Sequence, residues 1–134
     1  MDKNKLIFVV DDDPFMTSLI VKSFSSEGFR VESFDYGEDC LRAMDKMKPD
    51  LIILDYYFTK PGQEVMNGIE ILDKIRNKYP DIYIIMLSAQ EKGEVVLELA
   101  RKGINDYIIK DNNLIDNLGF SVKELLGAKS ELGS

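Results

Sequence analysis

Short apolar runs alternate along the chain with amphipathic stretches of helical period. Five of the runs have the length of β-strands: Leu6–Val10, Phe29–Phe34, Leu51–Leu54, Ile82–Leu87 and Tyr107–Ile109. Between and after them, apolar residues recur every three or four positions, which predicts five α-helices. Strands that alternate with helices favour a parallel sheet with helices on both faces.

The predicted helices begin next to residues that favour helix ends. Asp13 followed by Pro14 is typical of a helix start, because Pro tolerates a position whose N–H would have no partner. The first helix is predicted to present one apolar face made of Phe15, Met16, Leu19, Ile20 and Phe24. The second is predicted to present Leu41, Met44 and Met47, with Cys40 beside them.

The composition of each strand predicts its place in the sheet. The first, third and fourth runs are apolar at nearly every position, which is typical of central strands, whereas Phe29–Phe34 alternates with polar residues and is expected at an edge. With right-handed crossovers, these constraints favour a doubly wound (βα)5 fold with strand order 2-1-3-4-5. In such folds the functional crevice lies at the carboxyl ends of the strands, here between strands one and three.

Polar side chains follow four of the predicted strands at that edge. Asp11-Asp12-Asp13 follows the first strand, Asp55 the third, Ser88 the fourth and Lys110 the fifth. Individually, Asp13 is as typical of a helix cap as of a functional site, Ser88 is more often a helix cap than a ligand, and Lys110 is more often a solvated surface residue. Two like charges about 4 Å apart repel by roughly 4 kcal/mol at an effective dielectric near 20, so converging carboxylates would favour a bound cation. Oxygen ligands without histidine suit Mg²⁺, and Mg²⁺ with a hydroxyl, an ammonium group and a carboxylate indicates phosphoryl transfer.

Composition narrows the functional classes further. The chain has 134 residues, no histidine, one cysteine and a net charge of −7. The length predicts one domain, assigned to residues 1–127, with 128–134 as a linker or a cloning-derived tail. Without histidine, Ser-His-Asp triads and His-containing zinc sites are excluded. The acidic balance argues against binding of nucleic acid or anionic membrane, and the lack of a long apolar segment or secretory signal predicts a cytoplasmic protein.

The motifs at the strand ends resemble those of the receiver domains of two-component response regulators. The resemblance covers the chain from Leu6 to about Leu126. It rests on Val9-Val10-Asp11-Asp12, Leu54-Asp55, Asn67-Gly68, Leu87-Ser88-Ala89, Gly103-Ile104-Asn105-Asp106-Tyr107 and Ile109-Lys110. It implies a CheY-like, flavodoxin-like three-layer sandwich that switches conformation when phosphorylated and so controls an output domain or partner.

The resemblance also implies a role for each site residue. Asp55 would accept a phosphoryl group from a sensor histidine kinase or a phosphotransfer protein. Mg²⁺ would be bound by Asp55, by Asp12 directly, by Asp11 mostly through water, and by the backbone carbonyl of Tyr57.

Two further residues would act with the phosphoryl group, and a third would respond to it. Ser88 would donate a hydrogen bond to a phosphoryl oxygen and Lys110 would pair with the group. Tyr107 would be an aromatic switch, although a tyrosine half-buried against the fourth helix is an equal alternative. The fourth helix, fifth strand and fifth helix would form the surface for a homodimer or a partner.

Among the departures from the pattern of that family, two concern loops next to the site. Asp111 follows Lys110 where proline in a cis bond is common, so a trans bond or a strained loop is expected, since a non-proline cis bond costs roughly 3 kcal/mol. The segment between Asp55 and Gly68 is several residues longer than usual, and its aromatic start, with Tyr57, is expected to cover the site.

Three other functions compete with this interpretation. Asp11-Asp12-Asp13 also fits the nucleophile motif of haloacid-dehalogenase-type phosphatases, although Phe15 is unusual there and no later Asp pair follows Lys110. A degenerate receiver would bind partners without phosphorylation. An electron carrier of the flavodoxin type shares the fold, but the aspartates would be a poor site for a flavin phosphate.

Overall fold

The computed structural model of the protein describes residues 5–89 and 93–127. The strands are β1 Leu6–Val10, β2 Arg30–Phe34, β3 Leu51–Asp55, β4 Tyr83–Ser88 and β5 Asp106–Ile109. The helices are α1 Pro14–Ser25, α2 Gly37–Met44, α3 Gly68–Lys78, α4 Gly93–Arg101 and α5 Leu114–Val122, followed by a π-helical turn at Lys123–Gly127. The strands form one parallel sheet in the order β2-β1-β3-β4-β5, which confirms the predicted fold. The predicted tail, 128–134, lies outside the described residues.

The alternation of side chains along the central strands divides the core into two layers. In β1, Phe8 and Val10 belong to the core between the sheet and α2, α3 and α4. Ile7 and Val9 point the other way, into the core between the sheet and α1 and α5. Because the central strands are buried on both faces, their nearly continuous apolar sequences follow directly from the three-layer architecture.

One part of the predicted apolar face of α1 is wrong. Phe15 is 73% exposed and Leu19 is 38% exposed, whereas Ile20 and Phe24 are fully or almost fully buried. At 100° per residue, Phe15 lies about 140° around the helix from Ile20 but only about 40° from Leu19. The sequence pattern therefore combined two sides of the helix, of which only the side of Ile20 and Phe24 packs on the sheet.

The ends of the first two helices show how local sequence sets their limits. Asp13 caps α1, its side chain accepting a hydrogen bond from the backbone N–H of Phe15 at 3.0 Å, and Pro14 is the first helical residue, as predicted. The α2 helix ends at Met44, so Met47, predicted to lie on it, follows the helix instead. Met47 is nevertheless partly buried against the same core.

Arg76 of α3 contacts the turn that precedes β5. This turn lies at the amino ends of the strands, on the side of the sheet away from the predicted site. The Arg76 Nε donates to the Gly103 carbonyl at 2.8 Å and one terminal nitrogen donates to Asn105 Oδ1 at 3.0 Å. The same Oδ1 accepts the backbone N–H of Ile84 at 2.8 Å. Gly103 has φ of +101°, and a Cβ there would lie 2.9 Å from Arg76 Nε. Arg76 thus holds the turn that leads into β5.

We expect Arg76→Ala to lower the free energy of unfolding by about 1–3 kcal/mol, because it leaves polar groups of this turn without their partner. Arg42→Ala is the control, since Arg42 is exposed and forms a surface ion pair with Asp39, and it should change stability by about 0–1 kcal/mol. Urea unfolding followed by circular dichroism measures both. Equal effects of the two substitutions would contradict this role of Arg76.

Among the residues that the structure describes, no helix is both long enough and apolar enough to cross a membrane.

Candidate functional site

Three carboxylates meet at the carboxyl edge of the sheet. Asp11 and Asp12 directly follow β1, and Asp55 is the last residue of the adjacent strand β3. One oxygen of each lies within 4.8 Å of one oxygen of the others. The parallel pairing of β1 with β3 therefore produces the convergence that the sequence predicts.

These carboxylates line a cavity of about 490 Å³ that also contains the other predicted site residues. Ser88, at the end of β4, Lys110, just after β5, and Tyr107, within β5, all contribute to its wall, as does Tyr57. The structure thus brings together every side chain that the sequence analysis assigned to the site. It tests none of their chemical roles.

Burial makes two of the carboxylates electrostatically unusual. Asp11 is 1% exposed and Asp55 is 5% exposed. Desolvation is the main cause that raises the pKa of Asp11. Desolvation and the negative charge of Asp11 raise the pKa of Asp55 to about 6, while Lys110 acts in the opposite direction. Both groups are therefore harder to ionise in the fold than in the unfolded chain.

Lys110 is the cation that faces this pair. Its Nζ lies 3.0 Å from Asp55 Oδ1 and 3.2 Å from Asp11 Oδ2. Burial tends to lower the pKa of Lys110, but the charges of Asp55 and Asp11 outweigh it and raise the pKa. The peptide bond between Lys110 and Asp111 is trans, which confirms that prediction, and it does not prevent the ammonium group from reaching the carboxylates.

Backbone N–H groups hold two of the three carboxylates in place. The N–H of Asp13 donates to Asp11 Oδ1 at 2.9 Å, and the N–H of Thr59 donates to Asp12 Oδ2 at 3.2 Å. The backbone of Tyr57 favours the ionised form of Asp55 and so lowers its pKa, against the effect of burial. The two hydrogen bonds orient the carboxylate oxygens, but neutral N–H groups do not balance the charge of three carboxylates.

The remaining acceptor capacity suits a divalent cation. Asp11 Oδ2 is buried and receives no hydrogen bond from the described residues, although Lys110 is its ion-pair partner. Among the described residues that line the cavity, the three carboxylates Asp11, Asp12 and Asp55 outnumber the single ammonium group of Lys110, so negative charge is in excess. Hard cations such as Mg²⁺ prefer all-oxygen donor sets of this kind, so the residues present fit a magnesium ion.

The motif Asn67-Gly68 closes the long segment after β3. A Cβ at Gly68 would lie 2.7 Å from the backbone oxygen of Asp55, so only glycine allows α3 to begin this close to the site. Asn67 caps the helix through a reciprocal pair of hydrogen bonds with Glu70. The start of α3 thus fixes one end of the segment against Asp55.

The aromatic start of that segment only partly covers the site. Tyr57 lines the cavity but is 68% exposed. Phe58 is 6% exposed and packs in the core on the side of α2. Thr59, whose backbone N–H contacts Asp12, could not be identified from the sequence, because 47 positions separate the two residues and no motif marks a backbone donor.

Ser88 and Tyr107 lie on neighbouring strands near the fourth helix. Ser88 is 7% exposed, and its carbonyl accepts the backbone N–H of Lys110 at 2.8 Å, which ties the ends of β4 and β5 together. Tyr107 is half-buried and packs on the same core as Val95 of α4. This agrees with the structural alternative for Tyr107 and leaves its role as a switch a prediction.

Comparisons with known proteins agree with this geometry. A family model described as the response regulator receiver domain matches residues 7–118. The chemotaxis protein CheY of Listeria monocytogenes is 32% identical over 105 residues, which are 78% of this chain and 84% of that protein. The response regulator TrrA of Thermotoga maritima, solved in complex with Mg²⁺-BeF, has a TM-score of 0.76 and 33% identity over 91% of this chain and 99% of that one.

Other relatives are considerably longer than this chain. The alkaline phosphatase synthesis transcriptional regulatory protein PhoP of Bacillus subtilis is 34% identical over 108 residues, which are 80% of this chain but 42% of that protein. Several other transcriptional regulators are likewise matched over less than half of their length.

Proposed function

Because the chain belongs to the response regulator receiver domain family, we propose that Asp55 is the residue that accepts the phosphoryl group. The donor is a phosphohistidine on a sensor histidine kinase or a phosphotransfer protein. The observation that carries the proposal is the position of Asp55, which ends a central strand between Asp11 and Lys110 and faces the cavity.

The transfer itself requires an ionised Asp55. With a pKa of about 6, the carboxylate is mostly ionised at pH 7 in spite of its burial. One of its oxygens attacks phosphorus in line with the leaving nitrogen, so that a P–O bond forms while the P–N bond breaks. The electron pair leaves with the imidazole of the donor, which takes up a proton.

Two side chains of this chain stabilise the transferred group. The ammonium group of Lys110, now 3.0 Å from Asp55, pairs with a phosphoryl oxygen after transfer. The hydroxyl of Ser88, at the end of β4, donates a hydrogen bond to another. Both act on charge that develops on the oxygens during transfer, which is how positioned donors accelerate phosphoryl transfer.

The divalent cation of the reaction would be Mg²⁺, and the residues that would hold it are Asp11, Asp12, Asp55 and, through its backbone carbonyl, Tyr57. Asp12 would bind directly, and Asp11 mostly through water. When bound, the ion neutralises the negative charge of the phosphoryl oxygens and of the carboxylates. The buried Asp11 Oδ2 supports this assignment, since within the described part of the chain its one charged contact is the ion pair with Lys110 and it accepts no hydrogen bond. The similarity to TrrA, which was solved with Mg²⁺-BeF, supports it too.

Phosphorylation acts as a switch rather than as a step of an enzyme that turns over a separate substrate. It replaces one negative charge by nearly two and adds strong acceptors that favour a conformer with Ser88 drawn inward to the phosphoryl group and Lys110 kept beside it. Tyr107 turns inward when Ser88 moves. The surface of α4, β5 and α5 changes with it, and this surface binds a second copy of the domain or an output partner. We place the domain in the cytoplasm, with no binding of nucleic acid or membrane of its own, and assign residues 128–134 to a linker or tail.

The test is labelling by a small phosphodonor such as acetyl phosphate, with Mg²⁺ or with a chelator. We expect a Mg²⁺-dependent acyl phosphate that borohydride reduction and peptide mapping locate at Asp55. A label on Asp11 would instead support the haloacid-dehalogenase-type phosphatase. No label under any condition would support the degenerate receiver.

A further inference from the structure

The peptide groups on either side of Thr59 connect the acidic cavity with the start of α2. The Thr59 N–H donates to Asp12 Oδ2 at 3.2 Å. The Thr59 carbonyl accepts a long hydrogen bond from the Tyr36 hydroxyl at 3.4 Å. Since Tyr36 is the residue that precedes α2, the backbone of Thr59 bridges two parts of the sheet edge.

The residues on both sides of Thr59 are anchored to the same tyrosine. Phe58 is buried, and its ring centroid lies 6.4 Å from that of Tyr36. Lys60 Nζ lies 5.0 Å from the centroid of the Tyr36 ring, within the range of a cation–π contact. Three successive residues of the long segment thus contact one side chain, which explains how a loop can hold a backbone donor on Asp12.

The hydrogen bond from Thr59 leaves Asp12 able to bind a cation. A carboxylate offers about four acceptor positions, of which the Thr59 N–H occupies one. The N–H restricts rotation of the carboxylate, and hydrogen bonds of this kind raise the affinity of metal sites by orienting the ligands. Desolvation and, after it, the negative charge of Asp12 raise the pKa of the Tyr36 hydroxyl, which is a hydrogen-bond donor at neutral pH.

We propose that the Thr59 N–H and the Tyr36 hydroxyl are positioning groups for Asp12, through which the loop 56–67 and the divalent cation stabilise one another. The inference rests on the proposed role of Asp12 as a ligand of Mg²⁺. Coupling between two binding events is reciprocal, so a loop that improves cation affinity must itself be held more firmly when the cation is bound.

Two substitutions at position 59 distinguish the role of the backbone N–H from that of the Thr59 side chain. Thr59→Pro removes the N–H, and we expect it to weaken Mg²⁺ binding about 10- to 100-fold, as loss of an orienting partner does in other metal sites. Thr59→Ala keeps the N–H and removes only an exposed side chain, so it should recover most of the affinity lost in the proline variant. Isothermal titration of each folded variant with MgCl₂ measures the dissociation constants.

Tyr36→Phe gives an independent test in case the proline variant does not fold. It removes one hydroxyl and keeps the ring that packs on Phe58, and we expect about a 3- to 10-fold weaker affinity for Mg²⁺, less than for loss of the direct partner. An affinity equal to that of the wild type, in a variant with unchanged thermal unfolding, would show that the Tyr36 hydroxyl does not position Asp12.

Amide exchange of Thr59 measures the coupling directly in the unmodified protein. We expect its exchange, followed by NMR, to slow when MgCl₂ is added. Exchange that is unchanged or faster would overturn the inference, because the cation would then leave the hydrogen bond unaffected or break it. If the wild type does not bind Mg²⁺ at all, the proposed cation site fails; if it binds and the variants bind equally well, only the positioning role fails.

Discussion

Asp55→Asn is expected to abolish labelling by acetyl phosphate, reducing it at least about 100-fold, because the amide offers no anionic oxygen to attack phosphorus. The amide has nearly the volume of the carboxylate and no charge to desolvate. The fold should therefore be retained. Phosphoprotein electrophoresis after incubation with acetyl phosphate and MgCl₂ measures the labelling, and circular dichroism checks the fold.

Asp11→Asn is the matched control for that result. Asp11 is as deeply buried as Asp55 and contacts the same Lys110, so both substitutions remove one charge from the same cluster. We expect the Asp11 variant to need more Mg²⁺ but still to accept phosphate when the cation is saturating. If Asp11→Asn abolished labelling and Asp55→Asn only raised the Mg²⁺ requirement, the nucleophile would be Asp11, which would contradict the receiver mechanism.

Without divalent cations, the protein is expected to lose stability as the pH rises from about 4 to above 6, and Asp55→Asn should remove much of that loss. The pKa of Asp55 is raised from 3.8 to about 6 in the fold, by burial first and by Asp11 second. In this interval the unfolded chain ionises Asp55 more readily than the folded chain does. The ionised Asp55 carboxylate therefore lowers the free energy of unfolding. Above the pKa of Asp55 in the folded chain, this loss of stability stays constant.

The size of the effect follows from the shift. A difference of about 2 pKa units corresponds to about 3 kcal/mol, an upper value because Asp55, Asp11 and Lys110 titrate together. Urea unfolding in a chelator at pH 4, 5, 6 and 7.5 gives the profile for the wild type and for Asp55→Asn. The variant should be more stable than the wild type at pH 7.5 and nearly equal to it at pH 4.

Two controls test the origin of this difference. Glu98→Gln changes an exposed carboxylate of α4 and should leave the pH profile nearly unchanged. Addition of MgCl₂ should stabilise the wild type more than the Asp55 variant, because the cation binds the folded carboxylates. The contrary result would be a wild type that gains stability from pH 5 to pH 7.5, by the same free energy as Asp55→Asn does. It would show that burial of Asp55 does not destabilise the fold.

Much of the fold could be predicted because local patterns carry the information about it. The apolar runs of β1, β3 and β4 indicated central strands, and the alternation of β2 indicated an edge. Right-handed crossovers then left few strand orders to choose from. The convergence of Asp11, Asp12 and Asp55 followed without any knowledge of side-chain positions, since parallel strands end at the same edge.

Other features could be identified only from the folded structure. The exposure of Phe15 depends on which side of α1 packs on the sheet, and the apolar pattern marked both sides. The sequence pattern marks Arg76 as an ordinary surface residue of an amphipathic helix. The packing of α3 beside the turn at Gly103 is what brings the Gly103 carbonyl and the Asn105 side chain within hydrogen-bond distance of it.

The sequence by itself determined the sheet, its strand order and the residue types at the carboxyl ends of its strands. Strand composition and residue type are local properties, and the strand order follows from them once the crossovers are right-handed. Only the tertiary structure decided that a backbone N–H at position 59 meets Asp12 and that Asp55 is buried enough for its pKa to reach about 6. Backbone donors carry no side-chain signature, and desolvation depends on every atom packed around the group, so neither can be derived from a motif.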